Sequence, residues 1–487
     1  MDDCGCSTLR RCDYEPPAES MNALPIDEED LGAVLEKALR AGGHWAEVFL
    51  ERRATETLRL AGGGVAEIRS DLDLGAGVRV VTAGRAGYAY TNVVTRRSLV
   101  EAAAAAAVAS GATSSARAAL SIDLRQRPVL PAQHARRPPT DVTASAKVEL
   151  LRRVDTAARS AGVRDVTATH VDVTQSMLVA TTDSGVAEDT RVRTRLTCQV
   201  SARRNGRMQT GFDGPGIGGG MELYDGDAPE AIGVRAAERA LRALNGIESP
   251  SGRLPVILGP SGGGLLLHEA CGHGLEADAL TRGSSIYAHT SGERVGSELV
   301  TAVDDPTIAA GFGSYAIDDE GAEAVRTVLL DRGVQTGALS DRSNPIAGTT
   351  QISANGRRAS YAHPPLSRMS NTFILPGGSS VADLLGSIER GVYVVRLRGG
   401  DVDVTSGEFA FAAAETFLIE NGEIGPPLLS LSLLGNGPDA LASVEAVADD
   451  LSFSQALCGK ADQWIPVSYG SPTLLIGGLT VTGAGSG

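Results

Sequence analysis

The chain has 487 residues, of which 44 are Lys or Arg and 59 are Asp or Glu, so its formal net charge is −15. Hydrophobic residues make up 42% and charged residues 21%, a composition that excludes wholesale disorder. The acidic balance argues against nucleic acid or an anionic membrane as the main partner.

Residues 1–23 are predicted to be a disordered tail. Cys4, Cys6 and Cys12 form a C-x-C-x₅-C run that lacks a fourth ligand and matches no standard zinc spacing. Organised sequence begins just after Met21, which is therefore an alternative start. The N-terminus lacks a basic region followed by an apolar core, and no run approaches about 18 apolar residues. Neither a secretory signal nor a transmembrane helix is predicted, and the expected compartment is the cytoplasm.

Residues 24–110 are predicted to form an αβ unit. Asp27 can cap a helix that reaches to Gly43, because acidic residues fill its first turn and apolar residues recur at helical spacing. Residues 111–143 contain four prolines and little periodicity, and are predicted to be a linker. The expected strands are Trp45–Leu50, Glu56–Leu60, Gly77–Val81 and Ala86–Thr91, and the closing helix is Ser98–Ala109.

Residues 144–247 are predicted to form a second αβ unit, and residues 248–487 a β-rich C-terminal domain. The order along the chain is therefore an αβ unit, a linker, a second αβ unit and a β-rich unit. The second unit is expected to contain helices Ala144–Ala161 and Pro229–Leu244 and strands Val166–Thr174, Met177–Thr182 and Thr194–Arg203.

The C-terminal domain begins with a short apolar strand, Leu254–Leu258, and a glycine-rich segment, Gly259–Gly264. The segment matches neither a P-loop nor a dinucleotide-binding pattern. Its glycines are expected to let the backbone approach something closely, such as a metal site or an extended peptide.

The segment that carries chemistry is His268-Glu269-Ala-Cys-Gly-His273. In zinc hydrolases imidazole nitrogens hold the ion, and an adjacent carboxylate takes a proton from water. The two histidines are five residues apart, so on an ideal helix they point about 140° away from each other. A π-bulge, or unwinding near Gly272, would be needed to bring them together. From the spacing alone, a zinc site and two unrelated histidines remain open alternatives.

The motif His268–Asp278 resembles the signature of the TldD/PmbA family of metallopeptidases. The resemblance is strongest over about residues 250–487 and continues in later segments. Those segments are Gly292–Val300, Asp318–Gly321, Asn355–Arg358, Ser360–His363, Arg368–Thr372, Gly399–Gly407, Cys458–Lys460 and Gly470–Thr473.

The resemblance implies an α+β fold, with N-terminal αβ units followed by a β-rich C-terminal metallopeptidase domain. It also implies that this domain binds Zn²⁺ through His268, His273 and Cys458. A His₂Cys set with an open fourth position is typical of catalytic zinc. Glu269 is then the general base and later the acid to the leaving amine. The family implies unfolded or small peptides as substrates, including leader peptides, and a homologous TldE/PmbA-type subunit or a second copy of the chain as partner.

Several other residues are candidates for a role at or near this site. Cys271 lies inside the motif and is expected to pack rather than bind metal, and Glu276 is expected to be structural or to polarise a histidine. His289 is a further polar candidate. Arg357, Arg358 and His363 either hold peptide carbonyls or a terminal carboxylate, or form a salt-bridged turn. His44, His134 and His170 are expected to be ordinary surface or core residues.

Two other functions remain open. The first is an amide hydrolase that acts on a small metabolite in a natural-product pathway with the same zinc chemistry. The second is a non-catalytic regulatory or scaffold subunit of a two-subunit complex, which loss of Glu269 or of a ligand would have favoured.

Overall fold

The computed structural model describes residues 26–40, 43–82, 85–111, 122, 124–129, 135–226, 228–345 and 352–483. The expectations for the 1–23 tail, for His134 and for parts of residues 111–143 fall outside them. The described chain has a mixed α+β fold, as the sequence predicts. None of the described helices is long and apolar enough to cross a membrane.

The first half of the described chain contains five α-helices and seven strands. Its first helix begins as predicted, because the Asp27 side chain accepts a hydrogen bond from the Asp30 N–H at 2.9 Å. The helices are α1 (Glu28–Leu39), α2 (Arg96–Ala109), α3 (Ala144–Ser160), α4 (Leu223–Gly226) and α5 (Pro229–Ala243). The strands are β1 (Trp45–Ala61), β2 (Gly64–Thr82), β3 (Arg85–Thr91), β4 (Asp165–Thr181), β5 (Gly185–Arg204), β6 (Arg207–Asp213) and β7 (Gly216–Ile217).

The strands of the two predicted αβ units form one antiparallel sheet rather than two. Its order is β3-β2-β1-β4-β5-β6, with β7 against β5. Strand β1 pairs with β2 on one side and β4 on the other, so Leu50 lies opposite both Ala76 and Leu178. Periodicity along a strand does not reveal which distant strand lies beside it, so the sequence pattern divides this sheet between two units.

Predicted short strands also merge into longer ones. Trp45–Leu50 and Glu56–Leu60 both belong to β1, and the two strands predicted on either side of Gln175 are β4. The polar stretch between the two parts of β1 interrupts the apolar pattern. Glu51 within it is nevertheless buried, because it accepts a hydrogen bond from Gln175 Nε2 at 2.8 Å. The hydrogen bond from Gln175 on the neighbouring strand stabilises this position of β1, where an alternating apolar pattern would lead one to expect an apolar contact.

The two faces of this sheet differ in chemistry. Helices α1 and α2 cover one end of one face and bury Val48 of β1. Helices α3 and α5 cover the other end of this face and bury Leu58 of β1. The opposite face carries buried charged residues and packs against the C-terminal domain. Arg358 Nη2 there donates to Glu47 Oε1 at 2.6 Å, which joins the two parts of the chain.

The C-terminal domain begins at β8 and contains short helices among many strands. The helices are α6 (Pro260–Leu267), α7 (Ala277–Thr281), α8 (Val381–Gly386) and α9 (Gly437–Ala442). The strands are β8 (Gly252–Leu258), β9 (Ala302–Asp304), β10 (Thr327–Asp331), β11 (Val334–Gln335), β12 (Gly356–Arg357), β13 (Leu366–Ser367), β14 (Asn371–Ile374), β15 (Arg390–Val402), β16 (Glu408–Glu420), β17 (Glu423–Pro427), β18 (Leu431–Asn436), β19 (Val444–Val447), β20 (Ser452–Lys460), β21 (Gln463–Ser471) and β22 (Leu474–Gly483).

Two main sheets organise this domain. One has the order β15-β8-β22-β18-β16-β17, and a further pairing of β15 with β16 closes its first five strands into a ring. The other has the order β11-β10-β9-β14-β21-β20, which leaves β20 at its edge. A small β12-β13 pair lies apart from both.

Helix α6 lies directly against β21, and this contact explains the glycine-rich segment. The segment forms the N-cap and first turns of α6. A Cβ atom at Gly264 would lie 2.9 Å from the backbone nitrogen of Gly470, which is too close for any side chain. The close approach predicted for these glycines is therefore to a strand of the same chain, and not to a metal or a peptide.

Candidate metal centre

The distortion that the histidine spacing requires is present at the end of α6. His268–Gly272 is a π-helical turn, and His273–Leu275 is a 3₁₀ turn. The N–H of His273 donates to the carbonyl of His268, the five-residue bond that defines π geometry. Both imidazoles line the same cavity, so the predicted distortion is confirmed.

Gly272 serves this turn through packing rather than through backbone freedom. Its φ of −56° and ψ of −52° are ordinary helical values. A Cβ atom at this position would lie 2.2 Å from Met369 Sδ. A side chain at Gly272 would therefore push the π turn away from the methionine that supports it.

Three candidate ligand atoms converge at this turn. Nε2 of His268 and Nε2 of His273 each lie 3.3 Å from Sγ of Cys458, which β20 brings in from the end of the chain. The two imidazole rings are 5.0 Å apart between centroids and nearly perpendicular, at 81°. All three atoms lie within 4.8 Å of one another. No other group of His, Cys, Asp and Glu in the described chain assembles three ligand atoms in this way.

The charge state of Cys458 suits a metal ligand. Burial alone would raise the pKa of its thiol, but His268 and His273 lower it to about 4. The sulfur is therefore a thiolate at neutral pH, the form that binds metals. Cys271, in contrast, is fully buried among other residues, and burial raises its pKa to about 12. It does not belong to the cluster.

Glu276 orients one of the imidazoles. Its Oε2 lies 3.1 Å from His273 Nδ1 and accepts a hydrogen bond from Lys460 Nζ at 2.8 Å. Burial opposes the charge on Glu276, yet His273 and Lys460 lower its pKa to about 2. A carboxylate that accepts the Nδ1–H proton fixes the ring so that Nε2, which faces Cys458, is the nitrogen available to a metal ion.

Glu269 occupies a different position from Glu276. Its side chain is 27% exposed and lines a cavity of about 210 Å³ together with the three converging residues. Its Oε2 lies 3.9 Å from His273 Nε2, which is too far for a hydrogen bond. The carboxylate is thus held beside the cluster without being bonded to it.

The donor set fits a zinc ion. Two imidazole nitrogens and one thiolate are borderline and soft ligands that zinc accepts, and three protein ligands leave one position open. Nδ1 of His268 is buried without a hydrogen-bond partner among the described residues. His268, His273 and Cys458 would hold the ion, and Glu269 would remain outside the ligand set.

The remaining predicted residues lie elsewhere. His363 Nδ1 is 3.0 Å from Ser360 Oγ in a turn, and His289 is exposed. His170 is buried in the N-terminal sheet, where Tyr224 and Asp172 occupy its two ring nitrogens. None of these histidines joins the cluster.

Arg357 and Arg358 have different partners. The sequence left two alternatives open for them, contacts to substrate groups or a salt-bridged turn, and neither alternative describes both residues. Arg358 forms the buried ion pair with Glu47, as expected for a salt-bridged residue. Arg357 is also buried, but its Nη2 donates to the carbonyl of Pro466 at 2.9 Å. Its Nη1 donates to the carbonyl of Met369. Arg357 has no carboxylate partner among the described residues.

Other residues at the candidate metal centre were not predicted from the sequence. Arg368 Nη2 donates to the carbonyl of Cys458 at 2.7 Å, and Lys460 holds Glu276. Both lie in segments that carry the family resemblance, and that signal could have identified them. Tyr469 and Trp464 also line the cavity. No pattern in the sequence marks these two aromatic residues, because only the pairing of β20 with β21 brings them there.

Three family models match the chain. They are PmbA/TldA metallopeptidase domain 1 over residues 46–110, the central domain over 137–244 and the C-terminal domain over 251–483. The chain belongs to the PmbA/TldD metallopeptidase family. As a member of this family it is an enzyme, a hydrolase of the metalloprotease class.

Curated relatives agree with this membership. A Haemophilus influenzae protein named metalloprotease TldD homolog is 36% identical over 452 residues, which cover 90% of this chain and 93% of that protein. A Methanothermobacter thermautotrophicus metalloprotease is 34% identical over 462 residues, covering 94% and 100%. A Saccharolobus solfataricus protein named zinc metalloprotease TldD homolog is 33% identical over 247 residues, covering 50% and 55%.

Solved structures share the fold. A Thermotoga maritima protein has a TM-score of 0.77 at 21% identity, and TldE from Thermococcus kodakarensis has a TM-score of 0.72 at 19% identity. Each covers 93% of this chain and is itself fully covered. At these identities the likeness concerns the fold alone.

Proposed function

We propose that this family member is a zinc-dependent peptidase in which His268, His273 and Cys458 hold the ion and Glu269 is the general base. The observation that carries the proposal is the convergence of three ligand atoms within 4.8 Å beside an unbonded carboxylate. The name of the Saccharolobus relative, a zinc metalloprotease, supports zinc as the metal. The free thiol of Cys458 also suits a reducing compartment, the cytoplasm.

The chemistry divides between the ion and the protein. A zinc ion held here supplies Lewis acidity, which polarises a carbonyl and lowers the pKa of water. Glu269 takes a proton from the attacking water on its carboxylate and delivers it to the leaving amine nitrogen as the C–N bond breaks. Tyr469 lines the same cavity, and burial raises its pKa, so its phenol stays protonated. A protonated phenol there can donate to the oxyanion of the transition state.

The edge strand β20 supports a peptide as substrate. It carries Cys458 and is the last strand of its sheet, so among the described residues its outer edge has no strand partner. An extended peptide that pairs with this edge would pass beside the metal centre. Main-chain hydrogen bonds would then supply affinity with little dependence on sequence. This geometry favours unfolded or small peptides, including leader peptides, over a compact metabolite.

A partner subunit completes the proposal. We expect the catalytic unit to contain a homologous TldE/PmbA-type subunit or a second copy of this chain. The likeness to Thermococcus TldE concerns the fold, and it agrees with a pair built from two related subunits. A purely scaffolding role has less support, because Glu269 and all three candidate ligands are present together.

Replacement of Glu269 by Gln tests the proposal. The zinc content should stay near one ion per catalytic chain, because Glu269 is not a ligand, while hydrolysis of an unfolded peptide should fall about 10²–10⁴-fold. Peptide cleavage by the protein with its co-purified subunit and metal analysis on the same sample give both readouts. Glu298→Gln, at an exposed glutamate, is the matched control. Full activity of Glu269→Gln, or loss of its zinc, would refute the assigned role.

A further inference from the structure

A second cavity adjoins the metal centre and is lined by arginines. This arginine chamber has a volume of about 280 Å³ and lies between the N-terminal sheet and the C-terminal domain. It shares Leu457 and Trp464 with the cavity of the metal centre. Among the described residues Asp319 supplies its one lining carboxylate. The lining arginines are Arg53, Arg191, Arg193, Arg195, Arg357 and Arg358.

Half of these arginines are neutralised within the fold. Arg191 donates to Asp319 at 2.7 Å and also contacts Asp189. Arg358 pairs with Glu47 at 2.6 Å. Arg53 contacts a carboxylate oxygen of Glu51 in the same way. These ion pairs account for three of the six positive charges. The pairs of Arg191 with Asp319 and of Arg358 with Glu47 also tie the sheet to the C-terminal domain.

The other three arginines have no carboxylate partner among the described residues. Arg193 Nε donates to the carbonyl of Phe312 at 2.8 Å, and Arg357 Nη2 donates to that of Pro466. Both side chains are at least nine-tenths buried. Arg195 makes no side-chain hydrogen bond within the described chain, and its Nε is buried without a partner. Nε of Arg357 is likewise without a partner there.

Two buried cations, Arg193 and Arg357, and a partly buried third, Arg195, all without an ion-pair partner among the described residues, are costly for a fold. A carbonyl oxygen satisfies an N–H donor but does not compensate a full charge that has left water. Burial and the neighbouring arginines Arg191 and Arg357 accordingly lower the pKa of Arg193. Surplus positive charge with unused donors, directed into a cavity, indicates that an anionic ligand supplies the missing charge.

We propose that the arginine chamber binds a carboxylate of the peptide substrate while the peptide lies at the metal centre. The planar guanidinium fork matches a carboxylate in shape and charge. The chamber and the metal cavity meet at Leu457, next to Cys458, so one extended peptide can reach both. This inference rests on the proposed peptidase function and adds a substrate preference to it, for peptides that carry an acidic group near the cleaved bond.

Arg195 is the residue best placed to reveal this preference. It lines the chamber and also a larger cavity of about 800 Å³ that follows β20 along Phe453–Ala456. It therefore lies where the two cavities along the edge strand meet. Because no described residue depends on its side chain for a hydrogen bond, its replacement leaves the charged contacts of Arg191 and Arg358 intact.

The carboxylate has two possible sources, which matched peptides distinguish. One set has blocked ends and carries either Glu or Gln at a single position that is moved along an otherwise neutral sequence. The other set has no acidic side chain and ends in either a free carboxylate or an amide. A preference within the first set identifies an acidic side chain, and a preference within the second identifies the C-terminus.

The experiment measures kcat/KM for each pair with the wild type, Arg195→Gln and the exposed-site control Arg207→Gln, all in the native assembly. The wild type and the control should prefer the carboxylate member about tenfold or more, the value expected for charged hydrogen bonds. In Arg195→Gln the ratio should fall toward one. Mass spectrometry of the products then gives the distance between the acidic group and the cleaved bond.

The outcomes separate this inference from the peptidase proposal. Equal rates within both sets, or a preference that Arg195→Gln leaves unchanged, would overturn the inference while hydrolysis itself stands. If the wild type cleaves no peptide, the peptidase proposal fails. Calorimetric binding of the same peptide pairs then tests whether the arginine chamber binds a carboxylate. Tighter binding of the carboxylate peptide by the wild type than by Arg195→Gln would still support a carboxylate site, and equal binding would refute it.

Discussion

The metal centre and the arginine chamber share a wall at Leu457 and Trp464, yet they hold charge of opposite sign. The metal centre gathers the Cys458 thiolate and the carboxylates of Glu269 and Glu276 around two imidazoles. The chamber gathers six guanidinium groups around one lining carboxylate. Because a buried charge needs a counter-charge, each cavity is suited to the ligand that the other would repel: a cation in the first and a carboxylate in the second.

In a third buried cluster, every charged and polar group is paired within the fold. His170 contacts Tyr224 OH at 2.7 Å and Asp172 at 3.1 Å, and Lys147 holds the same Asp172 at 2.7 Å. Every charged group there has a partner within the fold. The comparison shows that buried titratable residues alone do not indicate function. The indication comes from unused donors or acceptors that face a cavity.

The largest effect is expected at the metal centre, from Cys458→Ser. The thiolate is the softest and the only negatively charged ligand of the set, so its loss should abolish stoichiometric zinc binding and hydrolysis together. Metal analysis beside a circular dichroism spectrum would separate loss of metal from loss of fold. Cys271→Ala, in the π turn that carries His268, should keep its zinc. Full zinc occupancy in Cys458→Ser would remove that residue from the site.

A second prediction concerns the neutralised half of the chamber. Glu47→Gln removes the carboxylate that pairs with Arg358 and also contacts Arg79, and all three side chains are fully buried. The free energy of unfolding should fall by about 3–5 kcal/mol, because a buried guanidinium loses its counter-charge. Denaturant unfolding followed by fluorescence would measure the change.

The control for Glu47→Gln is Glu36→Gln, which breaks the exposed ion pair with Arg40. Because water screens that pair, its loss should cost at most about 1 kcal/mol. If both variants lost the same stability, the distinction between compensated and surplus charges in the chamber would fail.

The smallest effect is expected from Glu276→Gln, which touches the metal centre only through His273. The amide cannot accept the imidazole proton as strongly as a carboxylate, so zinc affinity should weaken about 10–100-fold without being lost. Competition with a chelator would measure this change. Asp278→Asn is the matched control, because Asp278 holds Lys460 at 2.6 Å but does not contact an imidazole. An equal loss in both variants would show that Lys460, rather than Glu276, carries the effect.

The sequence by itself determined the local elements and the distortion of the helix that carries the central motif. Helix α1 starts at its predicted Asp27 cap, and α3 and α5 end within about a residue of expectation, because caps and helical periodicity act over a few residues. The five-residue spacing of His268 and His273 required a distorted helix, and the π turn supplies it. This requirement follows from helix geometry alone.

The tertiary structure alone decided which distant segments meet. It joined the strands of two predicted units into one sheet, because hydrogen bonding between β1 and β4 depends on partners more than a hundred residues apart. It also assembled the arginine chamber from β1, β5 and the Arg357-Arg358 segment, which share no motif. A charge surplus of this kind cannot be read along the chain, because it exists only where the fold removes water from side chains that the sequence keeps far apart.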